Sequence, residues 1–133
     1  MDRKEIGVLV VDDNLVMQKM IIPMLEGLGF RKIITANNGL DAWAKLNGSD
    51  PIHIILSDLV MPKLDGIGLL DKVRASELFW DLPFIMITAE ENQNQLMSSI
   101  EVEVDAYILK PFTPVKLEAE ISRILEQKYK PSP

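Results

Sequence analysis

Five short stretches of the chain, residues 6–11, 32–36, 52–57, 84–88 and 106–109, are apolar or β-branched nearly throughout. Half-exposed strands alternate apolar and polar side chains, whereas strands covered on both faces do not, so this continuous apolarity predicts a buried parallel sheet. The intervening segments carry a helical period. Met17, Met20, Ile21, Met24 and Leu28 recur every three or four residues, as do Leu117, Ile121, Ile124, Leu125 and Lys128, whose stem can lie along an apolar surface. Each set predicts a helix with one inward face. Asn38, with Asp41 in the following turn, reads as the start of a helix that stops at Gly48. Thr113 before Pro114 is a second start signal, Asp65 caps a helix through Leu70 and Val73, and the more polar segment 92–101 supplies a further one. Pro23 falls inside the first helix and removes one backbone hydrogen bond, which predicts a kink and not a break.

Five strands alternating with five helices predict a doubly wound α/β fold with right-handed crossovers and helices on both faces of the sheet. Ligand sites in such folds gather at the carboxyl ends of the strands, where the strand order reverses. At 133 residues the chain is long enough to bury roughly two-thirds of its unfolded surface around one core. Residues 1–129 read as one domain, and 130–133 as a tail or the start of a linker. With no cysteine, disulfides, thiolate metal sites and thiol nucleophiles are excluded, so any covalent chemistry uses oxygen or nitrogen. A net charge of −6 disfavours a nucleic-acid backbone as direct partner. The apolar runs are too short to span a membrane and the charged start is no signal peptide, so a cytoplasmic protein is expected.

The polar residues that close the predicted strands carry the chemistry. Asp12 and Asp13 follow the first strand, Asp58 the third, Thr88 ends the fourth, and Lys110 follows the fifth. Strands often end in polar residues, and Asp favours caps and turns, but that habit explains one or two such positions. It does not explain three carboxylates, a hydroxyl and an ammonium on one rim. Clustered carboxylates repel one another unless a cation intervenes, and an oxygen-only donor set suits Mg²⁺ together with a phosphate. Phosphoryl transfer needs an in-line nucleophile and cations around the equatorial oxygens. Asp58 can be the nucleophile, Lys110 and the metal the cations, and Thr88 a hydroxyl donor.

Four motifs sharpen this reading: Val10-Val11-Asp12-Asp13-Asn14; Leu56-Ser57-Asp58-Leu59-Val60-Met61-Pro62-Lys63-Leu64-Asp65-Gly66; Ile87-Thr88-Ala89-Glu90; and Tyr107-Ile108-Leu109-Lys110-Pro111-Phe112. With them the whole chain resembles the response-regulator receiver domains of two-component signal transduction, and is similar to the single-domain chemotaxis regulators. The resemblance implies a flavodoxin-like five-stranded sheet in the order 2-1-3-4-5. It makes Asp58 the phosphoacceptor and, with Asp13, a direct ligand of Mg²⁺; Asp12 acts through water and the Val60 carbonyl is a further ligand. Thr88 and Lys110 contact the phosphoryl group, Tyr107 is an aromatic switch that turns inward when Thr88 moves, and Lys110-Pro111 is cis. The donor it implies is a histidine kinase or phosphotransfer protein, and the listener an effector protein such as the flagellar motor switch. On this reading the chain is no enzyme, but a phosphoacceptor that assists its own phosphorylation and dephosphorylation.

Departures from the family pattern accompany the matches. Glu103 and Val104 stand where relatives usually carry Gly-Ala, Val60 offers no polar side chain to an attacking water, and Pro23 interrupts a helix that relatives continue. His53, the single histidine, lies in a predicted strand and reads as a satisfied or partly exposed side chain rather than a phosphorelay site. Trp43 fits the inward face of the second helix, Trp80 is either packing or a partner patch, and the seven methionines read as core filler. Glu90, Glu91 and Glu101 form a solvated face.

Three rival functions are separable. A haloacid-dehalogenase-like phosphatase also uses Asp, Thr or Ser, Lys and Mg²⁺, but carries its two acids two residues apart after the first strand, whereas Asp12 and Asp13 are adjacent. A flavin carrier of the same fold would place a phosphate loop at Asp12-Asp13-Asn14, where carboxylates repel phosphate. A degenerate receiver that only binds a partner would gain nothing from clustered like charges.

Overall fold

The computed structural model describes residues 2–89 and 104–129. The predicted segment 92–101, the acidic residues Glu90, Glu91, Glu101 and Glu103, and the tail 130–133 lie outside the described residues. Strands β1 (Gly7–Val11), β2 (Lys32–Ala36), β3 (Ile54–Asp58), β4 (Phe84–Ala89) and β5 (Ala106–Lys110) pair in parallel in the order β2-β1-β3-β4-β5. Among the described residues four α-helices accompany them: α1 (Leu15–Gly27), α2 (Gly39–Leu46), α3 (Gly66–Arg74) and α4 (Pro114–Lys128).

Continuous apolarity is resolved into two cores by the alternation of the strand side chains. Val8, Val10, Leu56, Ile87 and Ile108 point to one face, where α1 sets Ile21 and Leu25 and α4 sets Leu117, Ile121 and Ile124 against them. Leu9, Val11, Ile55, Phe84 and Met86 point to the other, covered by Ala42 and Leu46 of α2 and by Leu69, Leu70 and Val73 of α3. Each fully buried aliphatic side chain contributes about 1.5–3 kcal/mol, so the two layers together outweigh any single polar contact. Helix starts are held by side-chain oxygens: Asn14, Asn38, Asp65 and Thr113 accept backbone N–H groups of the first turns of α1, α2, α3 and α4. Such caps are worth about 1 kcal/mol each.

Several expectations are corrected in detail. Met20 is half exposed, and the buried stripe of α1 runs through Gln18, Ile21 and Leu25 instead. The stripe is shifted because the Gln18 amide has partners at the sheet rim that make its burial tolerable. His53 precedes β3 instead of lying in it. Its backbone N–H donates to the Gly7 carbonyl (2.8 Å), and its Nδ1 accepts the Gly7 N–H (2.8 Å), so the ring occupies a place that a strand residue would leave to backbone. The Tyr129 hydroxyl donates to the His53 carbonyl at 2.7 Å. Trp43 is only partly buried, edge-on to Phe79 at 6.0 Å with the Lys72 ammonium over its ring at 5.1 Å, and Trp80 is exposed. Lys128 is exposed and pairs with Asp81. Asn47 caps the end of α2 one residue before Gly48, and α1 continues unbroken through Pro23. No helix among the described residues is long and apolar enough to cross a membrane.

Candidate functional site

Where β2-β1 meets β3-β4-β5, the direction of strand order reverses, and the carboxyl ends of β1 and β3 open a cleft. Asp12 leaves β1 at this point, its N–H still donating to the Ala36 carbonyl at 3.0 Å as a last rung to β2. Asp58 is the last residue of β3, one position earlier relative to the strand end than its sequence reading placed it. Register carries the other two groups to the same rim: Asp58 lies beside Ile87, Thr88 beside Leu109, and Ala89 beside Lys110.

The side chains converge. Carboxylate oxygens of Asp12, Asp13 and Asp58 all lie within 4.8 Å of one another. The Lys110 ammonium sits between two of them, 3.5 Å from Asp12 Oδ2 and 3.4 Å from Asp58 Oδ1. Main-chain N–H groups supply further compensation: Leu59 donates to Asp58 Oδ1 and Asn14 to Asp12 Oδ1, each at 2.8 Å. Burial pushes the Asp58 carboxyl above its usual range; Lys110 pulls it down and Asp12 pushes it further up. Asp12 is buried and Asp13 exposed, so the trio spans the boundary between core and solvent.

Two close approaches hold the loop that follows Asp58. Gly66, at the start of α3, donates its N–H to the Leu59 carbonyl at 2.9 Å, and a Cβ there would run into the Asp58 carbonyl oxygen. Gly39, at the start of α2, donates to the Leu64 carbonyl at 2.9 Å. Between them Lys63 takes a left-handed φ of 68° without being glycine. Val60 is half exposed at the mouth. Thr88 is fully buried, its hydroxyl 3.3 Å from the Ala89 carbonyl, and Tyr107 is 37% exposed on the same face of neighbouring β5. The Lys110–Pro111 bond is cis.

The donor set is oxygen-only, with His53 at the far end of β3, and three convergent carboxylates fit a hard divalent cation such as Mg²⁺. The family model of the response regulator receiver domain matches residues 8–122, which include every one of these groups. The chain belongs to this family. It is 36% identical over 117 residues to chemotaxis protein CheY1 of Helicobacter pylori, covering 88% of this chain and 94% of that one. It is 34% identical over 117 residues to the chemotaxis protein CheY homolog of Campylobacter jejuni, covering 88% and 90%. The signal receiver domain of a histidine kinase from Syntrophus aciditrophicus matches its fold with a TM-score of 0.85 at 25% identity, covering 95% and 94% of the two chains. CheY4 of Vibrio cholerae matches at 0.80 and 28%, covering 90% and 98%. A receiver assignment leaves the dehalogenase-like phosphatase without support.

One residue of this receiver rim escaped the sequence reading. Gln18 is buried on α1, and its Nε2 donates to the carbonyl of Asp12 at 2.6 Å. A polar residue interrupting the apolar stripe 18, 21, 25 was the signal available for it.

Proposed function

We propose that the chain accepts a phosphoryl group on Asp58 and thereby switches the surface that a partner protein reads. The observation that carries this reading is the Lys110 ammonium held 3.4 Å from Asp58 Oδ1 and 3.5 Å from Asp12 Oδ2, beside Asp13. An Asp58 oxygen attacks the phosphorus of a phosphohistidine on a histidine kinase or phosphotransfer protein. The phosphorus–nitrogen bond breaks, its electron pair stays on the imidazole, and that nitrogen takes up a proton. Asp13, Asp58 and the Val60 carbonyl would hold Mg²⁺, with Asp12 acting through water, and the ion would supply positive charge beside the phosphoryl oxygens.

The chain's own residues do the rest. Leu59 N–H fixes the second role of Asp58 Oδ1 as an acceptor, orienting the carboxylate at the cleft. Lys110 neutralises the acyl phosphate as it forms. Thr88 exchanges its contact with the Ala89 carbonyl for a phosphoryl oxygen, and Tyr107 turns from its partly exposed position into the space vacated. The switch is a shift between two populations, biased by the new dianion. The chain thus assists its own phosphorylation and dephosphorylation without turning over other substrates. The Helicobacter pylori and Campylobacter jejuni proteins it is similar to are chemotaxis proteins, so chemotaxis is the process and a flagellar motor switch the listener we assign.

Incubation with acetyl phosphate, with and without Mg²⁺, followed by intact-mass measurement tests the reading. Wild type gains one phosphoryl group only with Mg²⁺, and Asp58→Asn gains none. Labelling of Asp58→Asn to the wild-type extent, or labelling of wild type that ignores Mg²⁺, overturns it.

A further inference from the structure

Gln18 is the polar residue in the buried stripe of α1, between Ile21 and Leu25 on one side and the rim of the sheet on the other. A buried amide is costly unless its hydrogens find acceptors, so the position of its acceptors reports what it is for. All three lie at the carboxyl ends of β1 and β2. Nε2 is 2.6 Å from the Asp12 carbonyl, 3.1 Å from Asn37 Oδ1 and 3.4 Å from the Ala36 carbonyl. The first of these belongs to the peptide that joins Asp12 to Asp13. That peptide plane sets where both carboxylates point, and it sits just past the last β1–β2 rung. Asn37 is held in turn, because its N–H donates to Asp41 Oδ2 in the first turn of α2 at 3.1 Å.

We infer that Gln18 is a positioning residue for the cation site: by clamping the Asp12–Asp13 peptide from inside the core, it pre-sets two of the three carboxylates for a divalent ion. The inference rests on the proposed Mg²⁺-dependent reading and adds a residue to it. Groups that orient metal ligands through a second contact typically change metal affinity by 10–100-fold when removed. Gln18 touches backbone and not a carboxylate, so the lower end of that range applies.

Gln18→Met keeps the length of the side chain and deletes the donor. Calorimetric titration with Mg²⁺ in the absence of any phosphodonor is expected to show affinity weakened about tenfold. Labelling by acetyl phosphate then needs correspondingly more Mg²⁺ for half-maximal rate, while the rate at saturating Mg²⁺ stays close to that of wild type. Asn37→Ala, at an exposed position, leaves the fold intact but removes one of the amide's three acceptors, and weakens Mg²⁺ binding in the same direction by less. If Gln18→Met loses stability to urea yet binds Mg²⁺ as tightly as wild type, the residue is only a satisfied core amide and the inference fails. Should Gln18→Met not fold, wild-type affinity in Asn37→Ala overturns it. Failure of wild type itself to bind Mg²⁺ would remove the proposed function and this inference together, an outcome distinct from either variant result.

Discussion

Gly66 offers the sharpest test of how the fold holds Asp58. Its Cα faces the loop at the end of β3 so closely that a Cβ would collide with the Asp58 carbonyl oxygen, lie 2.7 Å from Met86 Sδ and lie 3.0 Å from Leu59 Cα. Two of these three atoms are backbone and cannot rotate away. In Gly66→Ala the start of α3 must therefore retreat from Asp58, weakening the 2.9 Å hydrogen bond from Gly66 N–H to the Leu59 carbonyl. Overpacking of this kind costs about 1–3 kcal/mol. At a urea dependence of about 2 kcal/mol per molar, a loss of about 2 kcal/mol lowers the unfolding midpoint by about 1 M. Gly27→Ala is the internal contrast, because nothing stands within 4 Å of a Cβ there. It relieves glycine's entropic cost near the end of α1 and raises stability by about 0.5 kcal/mol. The assay is equilibrium urea unfolding of both variants, joined to the rate of labelling by acetyl phosphate at saturating Mg²⁺. Gly66→Ala should lose both stability and labelling rate. A Gly66→Ala protein as stable and as readily labelled as wild type would refute the claim that this contact positions Asp58.

Other outcomes follow from the charges and hydrogen bonds. Asp58 holds its proton more tightly folded than unfolded, mainly through burial, so its ionisation at neutral pH works against folding and acidification below its ordinary value of 3.8 removes that cost. Asp58→Asn should therefore be more stable than wild type at neutral pH in metal-free urea unfolding, with the advantage shrinking as pH falls; a less stable variant contradicts this. His53 has the opposite sign: burial and then Lys32 lower its pKa from 6.5, so the unfolded chain binds the extra proton first and stability declines as pH falls through that value. His53→Leu should flatten this slope while losing about 1 kcal/mol at neutral pH from the unsatisfied Gly7 N–H, and an unchanged slope rules the assignment out. Lys110→Met should bind Mg²⁺ more tightly, since a competing cation has left, yet accept phosphate about 100-fold more slowly, as read by calorimetry and by intact mass.

The hydrophobic pattern carried most of this architecture because a parallel sheet buried on both faces leaves few polar positions inside its strands. The polar residues that remain, Asp12, Asp58, Thr88 and Lys110, are then forced to the ends, and parallel register brings them to one rim. What stayed hidden depends on through-space partners. Gln18 reads as a flaw in an apolar stripe until the carbonyls of Asp12 and Ala36 are seen above it. Met20 occupies a helical core position by spacing alone, but the stripe turns toward Gln18 and leaves it half exposed. His53 looks like a strand residue because nothing local reveals that its ring accepts the Gly7 N–H. Lys63 carries no glycine or asparagine signal for its left-handed backbone, which is imposed by the loop that packs Leu64 against Gly39.

The rim itself works against the stability that the sheet supplies. Three carboxylates face one ammonium, which leaves two negative charges uncompensated in a half-buried cleft. At 4.8 Å two carboxylates repel by about 3.5 kcal/mol at an effective dielectric constant of 20, several times what an exposed ion pair elsewhere on the chain returns. Main-chain N–H groups on Asp12 and Asp58, and solvent on Asp13, reduce that repulsion without cancelling it. A cleft in this state repels a phosphoryl donor, which is itself anionic. One divalent cation matches the excess charge, and it would turn the same three carboxylates from a liability into ligands, whereas a monovalent ion leaves half the excess in place. On the proposed function, the cost built into the rim is what would make phosphoryl acceptance conditional on a divalent ion, the usual exchange of stability for function at a working site.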